Sequence, residues 1–251
     1  MQVSDLLQVL FRWAHIVAGI LWIGLLFFFN WINGAFAKTL DAETKKKVIP
    51  ELMPRALFWF RWGAAWTWIT GIALLALVYY HGQLMGFDEG WGFFSIGMVI
   101  LTFGSVFIYD ILFKSVEDQK KAISIGFGII AAEIFLMKYL GGFGYRAYNI
   151  HIGVMFGTIM AFNVWFRIWP AQQKIITAIK NGEAPEGDLV ALAGERSRHN
   201  TYLSVPLVYT MINQHTVLVG SYSFLILLGA IALGWVAVKH LYSLSAKVEG
   251  F

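Results

Sequence analysis

The sequence predicts an all-α, polytopic membrane helical bundle of about seven transmembrane helices, with the N-terminus outside and the C-terminus in the cytoplasm. Hydrophobic residues make up 58% of the 251 residues and charged residues only 14%, whereas soluble domains carry about 25% charged residues. A spanning helix needs about 20 mostly apolar residues. Six runs reach that length, at residues 8–33, 56–80, 92–114, 121–141, 146–169 and 221–241.

A seventh span is predicted at residues 200–219, where the apolar run is shorter and contains Pro206. Proline is tolerated in membrane helices when neighbouring groups satisfy the carbonyl that it leaves unpaired. Cytoplasmic loops carry an excess of Lys and Arg, and seven spans put all but three of the 19 basic residues on one side. The three exceptions, Arg12, Lys138 and Arg146, mark the outer side.

Residues 1–251 are therefore predicted to form a single integral membrane domain. Its longest cytoplasmic segment, 170–199, is polar and is expected to hold a short surface helix followed by a loop. The absence of cysteine excludes disulfides, thiolate metal sites and covalently attached c-type haem. The net charge of +4 comes from the basic loops, so the expected partner is the lipid bilayer and not nucleic acid.

Three histidines lie at a similar predicted depth in the outer leaflet, each on a different helix. They are His15, His151 and His215. Ionisable side chains inside a membrane indicate function by default, histidine is a common axial ligand of haem iron, and helical bundles hold cofactors between facing side chains. The pattern predicts b-type haem, one or more, with iron bound by His15 and His151 and with His215 as a competing ligand. The alternative is that all three histidines are hydrogen-bonded to neighbours within the bundle.

Two arginines precede these histidines on the outer side. Arg12 comes three residues before His15, and Arg146 comes five residues before His151, which places each arginine about 5–8 Å nearer the outer surface. Arginine pairs well with carboxylates, so both are candidates for binding haem propionates. Glycines close to the histidines either make room for a flat ring or allow close helix packing; they are Gly19, Gly153 and Gly157.

Other ionisable residues have less specific surroundings. His199 lies in a polar run at the cytoplasmic end of the seventh predicted span, residues 196–200, where it could bind an anion or polar ligand or simply begin an interfacial helix. Glu133 lies near the predicted middle of the membrane and could relay protons, pair with a basic group or be protonated. Asp110 lies near a helix end and could reach the interface.

Several motifs together cover most of the chain. They are Arg12-Trp13-x-His15-x-x-Ala18-Gly19-Ile20-x-Trp22-Ile23-Gly24, Phe58-Trp59-Phe60-x-Trp62, Thr67-Trp68-x-x-Gly71, His151-x-Gly153-x-Met155-Phe156-Gly157 and Arg196-Ser197-x-His199-Asn200-x-Tyr202-Leu203-x-x-Pro206. This set of motifs resembles the membrane domain of the bacterial membrane-bound urate oxidase (urate hydroxylase) family.

The resemblance implies a membrane domain of about eight spans, usually followed by a cytochrome c domain, and oxidation of urate with electrons passed to that cytochrome. Four histidines match family positions: His15, His151, His199 and His215. The sequence departs from the family in ending after the seventh predicted span and in a shorter first cytoplasmic loop. It also has Phe58 and Gly63 where we expect a histidine and a glutamate.

Three functions are consistent with these patterns. The leading one is an electron-transfer subunit of the bacterial inner membrane that binds haem b near the periplasmic face and exchanges electrons with a periplasmic or membrane-anchored cytochrome c. The second is a urate-oxidising enzyme that uses a separate cytochrome c. The third is a cofactor-free structural subunit of a respiratory or photosynthetic complex, bound to the other subunits of that complex.

Overall fold

The computed structural model describes residues 3–87, 90–213 and 223–249, which are almost entirely helical. Within these ranges the α-helices are α1 Val3–Phe27, α2 Gly34–Thr39, α3 Ala42–Leu74, α4 Phe93–Ser115, α5 Gln119–Tyr139, α6 Tyr145–Asn163, α7 Trp169–Asn181, α8 Gly187–Ile212 and α9 Ser223–Ser245. Short π-helical segments extend three of them, at Phe28–Asn33, Leu75–Tyr80 and Val164–Ile168.

The prediction of a helical membrane bundle is confirmed. By length and composition, the helices able to cross a membrane in the described part of the chain are Val3–Thr39, Ala42–Tyr80, Phe93–Ser115, Gln119–Tyr139, Tyr145–Asn181 and Ser223–Ser245. They correspond to the six long apolar runs. The seventh predicted span is only partly described, because α8 covers residues 200–212 and the rest of that span includes residues outside the described ranges.

Three of the candidate spans are much longer than the membrane requires. They contain 37, 39 and 37 residues, and a helix rises about 1.5 Å per residue, so each reaches roughly 55 Å against about 30 Å of hydrocarbon. Each includes one of the π-helical segments. An extra residue in a helical turn changes the direction of the side chains that follow it, and such segments are frequent at functional sites.

The predicted cytoplasmic segment 170–199 is more helical than the sequence indicates. It contains most of α7, a loop at residues 182–186 and the first part of α8. The turn that ends α7 is at Gly182, whose φ of 78° is left-handed and favours glycine. Apolar side chains join α7 to the start of α8: Ala171, Ile175, Ala193, Ile179 and Leu189.

The chain divides into two compact units. The first comprises the described residues of 1–8, 72–159 and 205–234, and the second comprises those of 9–71, 160–204 and 235–251. The span that includes α6 is the most buried, with 61% of its apolar window buried against at most 33% in the other candidate spans. Its buried polar residues include Asn149, His151 and Asn163, so α6 contributes buried polar residues to both units.

Candidate functional site

His15 of α1 is fixed by α3 within the second unit. Its Nδ1 donates a hydrogen bond of 2.9 Å to the carbonyl oxygen of Thr67, and the hydroxyl of Thr70 lies 3.2 Å from the same nitrogen. A carbonyl oxygen can only accept, so Nδ1 carries the proton and Nε2 carries the lone pair. This is the tautomer in which Nε2 can bind a metal.

The ring of His15 also packs closely on α3. A Cβ added at Gly71 would come within 3.0 Å of His15 Cε1, so the absence of a side chain at residue 71 leaves space for the imidazole. Arg12, one turn before His15 on α1, is exposed. Its guanidinium is therefore accessible to an anionic group at the surface of the helix.

His151 of α6 is held in the same tautomer in the first unit. It is fully buried, and its Nδ1 donates a hydrogen bond of 2.7 Å to the carbonyl oxygen of Ala147. The unprotonated Nε2 accepts from the hydroxyl of Tyr80, 3.1 Å away. The rings of Phe143 and Tyr80 lie 4.8 Å and 5.9 Å from the imidazole centroid, so His151 is fixed on both sides and at both nitrogens.

Arg146 and Asn149 precede His151 on α6, and each has a buried side-chain polar atom, Nε of Arg146 and Oδ1 of Asn149. Among the described residues, neither Arg146 Nε nor Asn149 Oδ1 has a hydrogen-bond partner. The Asn149 amide nitrogen donates to Thr210 O at 3.0 Å, which fixes the orientation of that side chain. Buried polar atoms usually have partners, so a bound anion such as a propionate is chemically suited to Arg146.

The glycines of α6 serve helix packing. A Cβ at Gly153 would overlap Thr210 Oγ1 and lie 3.0 Å from Met211 Cε, which means that α6 and α8 touch at this point. At Gly157 the nearest atom would be Leu207 Cδ1, at 3.9 Å. For Gly153, close packing is therefore the observed role, and not space for a flat ring.

Further polar contacts join the helices near this part of α6. The Asn213 amide donates to the hydroxyls of Tyr145 and Tyr209, and the hydroxyls of Tyr148 and Ser223 are 2.6 Å apart. His215, the third predicted iron ligand, lies outside the described residues.

The second unit contains a polar contact between three helical segments. The Asn30 amide donates to Ser197 Oγ at 2.8 Å, and its carbonyl oxygen accepts from the hydroxyl of Tyr242 at 2.8 Å. Asn30 lies in the first π-helical segment. Its hydrogen bonds therefore connect that segment with α8 and α9.

A second polar group in this unit joins the end of α6 to α8. Asn163 donates to Asn200 Oδ1 at 2.9 Å, and Asn200 donates to Met160 O at 3.0 Å. Arg196, one turn before Asn200, is only 3% exposed. The Arg196 guanidinium and the two amides are therefore all withdrawn from solvent.

His199 adjoins this polar group but lies outside the six candidate spans and immediately before the seventh predicted one. Its Nε2 is 4.0 Å from Glu195 Oε1. Burial lowers the pKa of His199 to about 4, and the charges of Arg196 and Arg198 act in the same direction while Glu195 opposes them. His199 is therefore neutral near pH 7.

Sequence reasoning identified the histidines but missed their partners and the buried amides. Tyr80, Asn30, Asn163 and Asn200 received no role, although an asparagine inside an apolar run is itself a signal, because a polar side chain at membrane depth requires a partner. There was no comparable signal for Tyr80 in the sequence. This residue ends the second π-helical segment, and an aromatic residue at a helix end is equally typical of an anchor at the membrane interface.

Comparison with known families supplies one match. The family described as urate oxidase N-terminal matches the chain over two overlapping segments, residues 1–48 and 40–250. No curated protein and no solved structure matches the chain.

Proposed function

The chain belongs to the urate oxidase N-terminal family, and from that premise we propose that it is a membrane-embedded electron-transfer subunit that binds b-type haem and exchanges electrons with a cytochrome c. As a member of this family, the chain is a multi-pass membrane protein related to urate oxidation. The proposal adds the cofactor and the partner.

The observation that carries the proposal is the shared tautomer of His15 and His151. In both, Nδ1 donates to a backbone carbonyl oxygen, which leaves the lone pair on Nε2. Metal-binding histidines are usually oriented in this way, with the second ring nitrogen donating to a carbonyl or carboxylate. The same hydrogen bonds also fix each ring against its neighbours in the bundle, and at His151 the hydroxyl of Tyr80 occupies Nε2.

The residues present fit haem on a second point. Arg146 Nε is buried without a hydrogen-bond partner among the described residues, and a propionate would supply the missing acceptor. When bound, haem supplies one-electron chemistry, and the chain supplies ligands, burial and charge. At His151, Tyr80 is the residue that must leave Nε2 before iron can bind. The pairing of His15 with His151, and His215 as a competitor, stay predictions.

A reduced-minus-oxidised absorption spectrum of the purified protein tests the proposal. We expect b-type bands in the wild type, their loss in His15→Ala and in His151→Ala, and their retention in Tyr80→Phe. His81→Ala is the matched control, because His81 is exposed at the end of its helix. A wild-type protein without haem bands would refute the proposal. Normal bands in both alanine variants would refute the assignment of His15 and His151 as the iron ligands, and His215 would become the first alternative.

Oxidation of urate by this chain is the second candidate function, and the buried Arg196, Asn163 and Asn200 favour it. A purine oxidised within the membrane domain needs buried donors and acceptors, because an unpaired polar group costs about 1–3 kcal/mol. The test is urate-dependent reduction of added cytochrome c. If the chain is the enzyme, Arg196→Gln abolishes turnover, whereas Arg198→Gln, an exposed neighbour on the same helix, leaves it unchanged.

A further inference from the structure

Glu133 of α5 is a carboxyl group buried within a membrane-spanning helix. It is 3% exposed and belongs to the candidate span Gln119–Tyr139. Acidic residues at membrane depth are rare and unfavourable as isolated charges. Neither the proposed haem site nor the proposed urate site includes this residue.

The surroundings of Glu133 favour a carboxyl group that carries a proton. Ser105 Oγ of α4 lies 2.8 Å from Glu133 Oε1 and 2.7 Å from the carbonyl oxygen of Leu101. A serine hydroxyl has one proton to donate, and the carbonyl can only accept. If Ser105 donates to Glu133, the carboxyl has that one donor. If Ser105 donates to Leu101 instead, the short contact with Glu133 requires a protonated carboxyl that donates to Ser105.

The second carboxyl oxygen supports the same conclusion. Glu133 Oε2 is buried and has no hydrogen-bond partner among the described residues. An ionised carboxylate here would hold its charge in a low-dielectric region with a single donor, whereas the protonated form leaves only one neutral carbonyl oxygen unpaired. Burial disfavours the charge far more than the neutral group.

No cation within the described residues compensates a charge on Glu133. Its only hydrogen-bonded side chain there is Ser105. On the two packed helices the next ionisable groups are Tyr109 and Asp110 of α4 and Lys138 of α5, four or five residues along the helix from the contact, or about 6–7 Å of rise. The ammonium of Lys138 lies over the rings of Tyr139 and Phe224, at 4.9 Å and 5.0 Å.

We propose that Glu133 is a proton-binding site of the membrane domain, which carries an exchangeable proton at neutral pH. The chemistry is the loss and recovery of one proton at the carboxyl, with no other bond changed. Two further hydroxyl-bearing residues share the buried face of α4 with Ser105, namely Thr102 and Tyr109. Such a site lets a membrane oxidoreductase take up a proton when it gains an electron, but the proposal does not rest on haem binding.

Infrared spectroscopy of the full chain in detergent at neutral pH tests the site directly. We expect a C=O stretching band of a protonated carboxyl in the wild type, its absence in Glu133→Gln, and a downshift when the protein is transferred to D₂O. Glu117→Gln, which changes an exposed acid of the α4–α5 loop, is the matched control and should keep the band. Circular dichroism confirms that each variant is folded.

Ser105→Ala gives a second, independent readout. Removing the hydroxyl that contacts Glu133 Oε1 should shift the band and retain its intensity. A wild type without the band, or a band that survives in Glu133→Gln, overturns the site. A band that does not shift in D₂O shows a proton that never exchanges, and this also overturns the proposal.

Discussion

Gly71 of α3 lies against the imidazole of His15, and a Cβ at residue 71 would reach within 3.0 Å of His15 Cε1. On the same segment of α3, the carbonyl oxygen of Thr67 holds His15 Nδ1 at 2.9 Å. The position of the ring is therefore determined by the hydrogen bond to Thr67 and by the missing side chain at residue 71. Both constraints come from one helix.

Gly71→Ala should weaken haem binding at His15 without preventing membrane insertion. The added methyl group must displace the ring by a few tenths of an ångström, and an off-rotamer side chain costs about 1 kcal/mol, or roughly a fivefold loss of affinity. The measurement is haem content per protein after titration with haemin. Gly19→Ala is the control, because its Cβ would meet Thr67 Cγ2 at an ordinary 3.8 Å. Equal haem content in the two variants would contradict this role for Gly71.

Gly153→Ala should destabilise the contact between α6 and α8. The added Cβ would overlap Thr210 Oγ1, and overpacking costs about 1–3 kcal/mol. Thermal unfolding in detergent, followed by circular dichroism, measures the effect. Gly157→Ala, whose Cβ would find only Leu207 Cδ1 at 3.9 Å, should unfold close to the wild-type temperature. If both variants unfold alike, α6 and α8 do not pack at Gly153 as described.

The helical bundle was predictable because membrane insertion depends on properties that a single sequence displays. The run 92–114 contains enough apolar residues to span the hydrocarbon, and α4 at Phe93–Ser115 matches it closely. The predicted helix boundaries were less accurate where helices extend beyond the membrane. The helix predicted from the apolar run 146–169 continues through a π-helical segment into α7 and ends only at Asn181. Outside the hydrocarbon, hydropathy no longer determines where a helix stops.

The partners of the candidate site were not predictable in the same way. His151 was identified because an ionisable residue within an apolar run is conspicuous, but the hydrogen bond from Tyr80 joins residues 71 positions apart. That contact joins the second π-helical segment to α6, and hydropathy carries no information about such a pairing. The roles of Gly19, Gly153 and Gly157 also required the neighbouring atoms to be known.

The buried position of His199 predicts a pH dependence of stability. Its folded-state pKa of about 4 lies below the ordinary value of 6.5, so the unfolded chain binds the proton first as pH falls. The free energy of unfolding should therefore decrease as pH falls from about 6.5 towards 4 and should not depend on this group above that range. His199→Gln should reduce the acid-side slope in denaturant titrations. His240→Gln, an exposed histidine, should not, and an equal effect of both variants would count against the burial argument.

The orientation predicted from the basic residues can be tested with reporter fusions. All but three of the 19 Lys and Arg residues lie on one predicted side, so residue 251 should be cytoplasmic. A fluorescent protein fused there should fluoresce, and alkaline phosphatase fused there should be inactive. A fusion after Gly142, in the loop between α5 and α6, should give the opposite pair of results. Phosphatase activity at residue 251 would reverse the topology.

Urate oxidation by this chain alone is expected to be weak or absent, because Phe58 and Gly63 stand where an active family member should have polar residues. The structure gives each position another role. Phe58 is 44% exposed, and its ring lies 5.7 Å from the guanidinium carbon of Arg61. Gly63 is buried, and a Cβ there would lie 3.2 Å from Trp22 N. Position 58 therefore faces outward from the unit, and position 63 is a helix contact without space for a glutamate.

Two substitutions extend this prediction. Phe58→His should not restore urate oxidation, since an exposed residue cannot pair the buried groups of a purine. Gly63→Glu should lower the yield of folded protein, because it inserts a large acidic side chain against Trp22 and so combines overpacking with a buried charge. The assay is urate-dependent reduction of added cytochrome c by the purified chain, with protein yield measured in parallel. Rapid turnover by the wild type would show that positions 58 and 63 are not needed for urate chemistry, and Arg196 would then become the first residue to substitute.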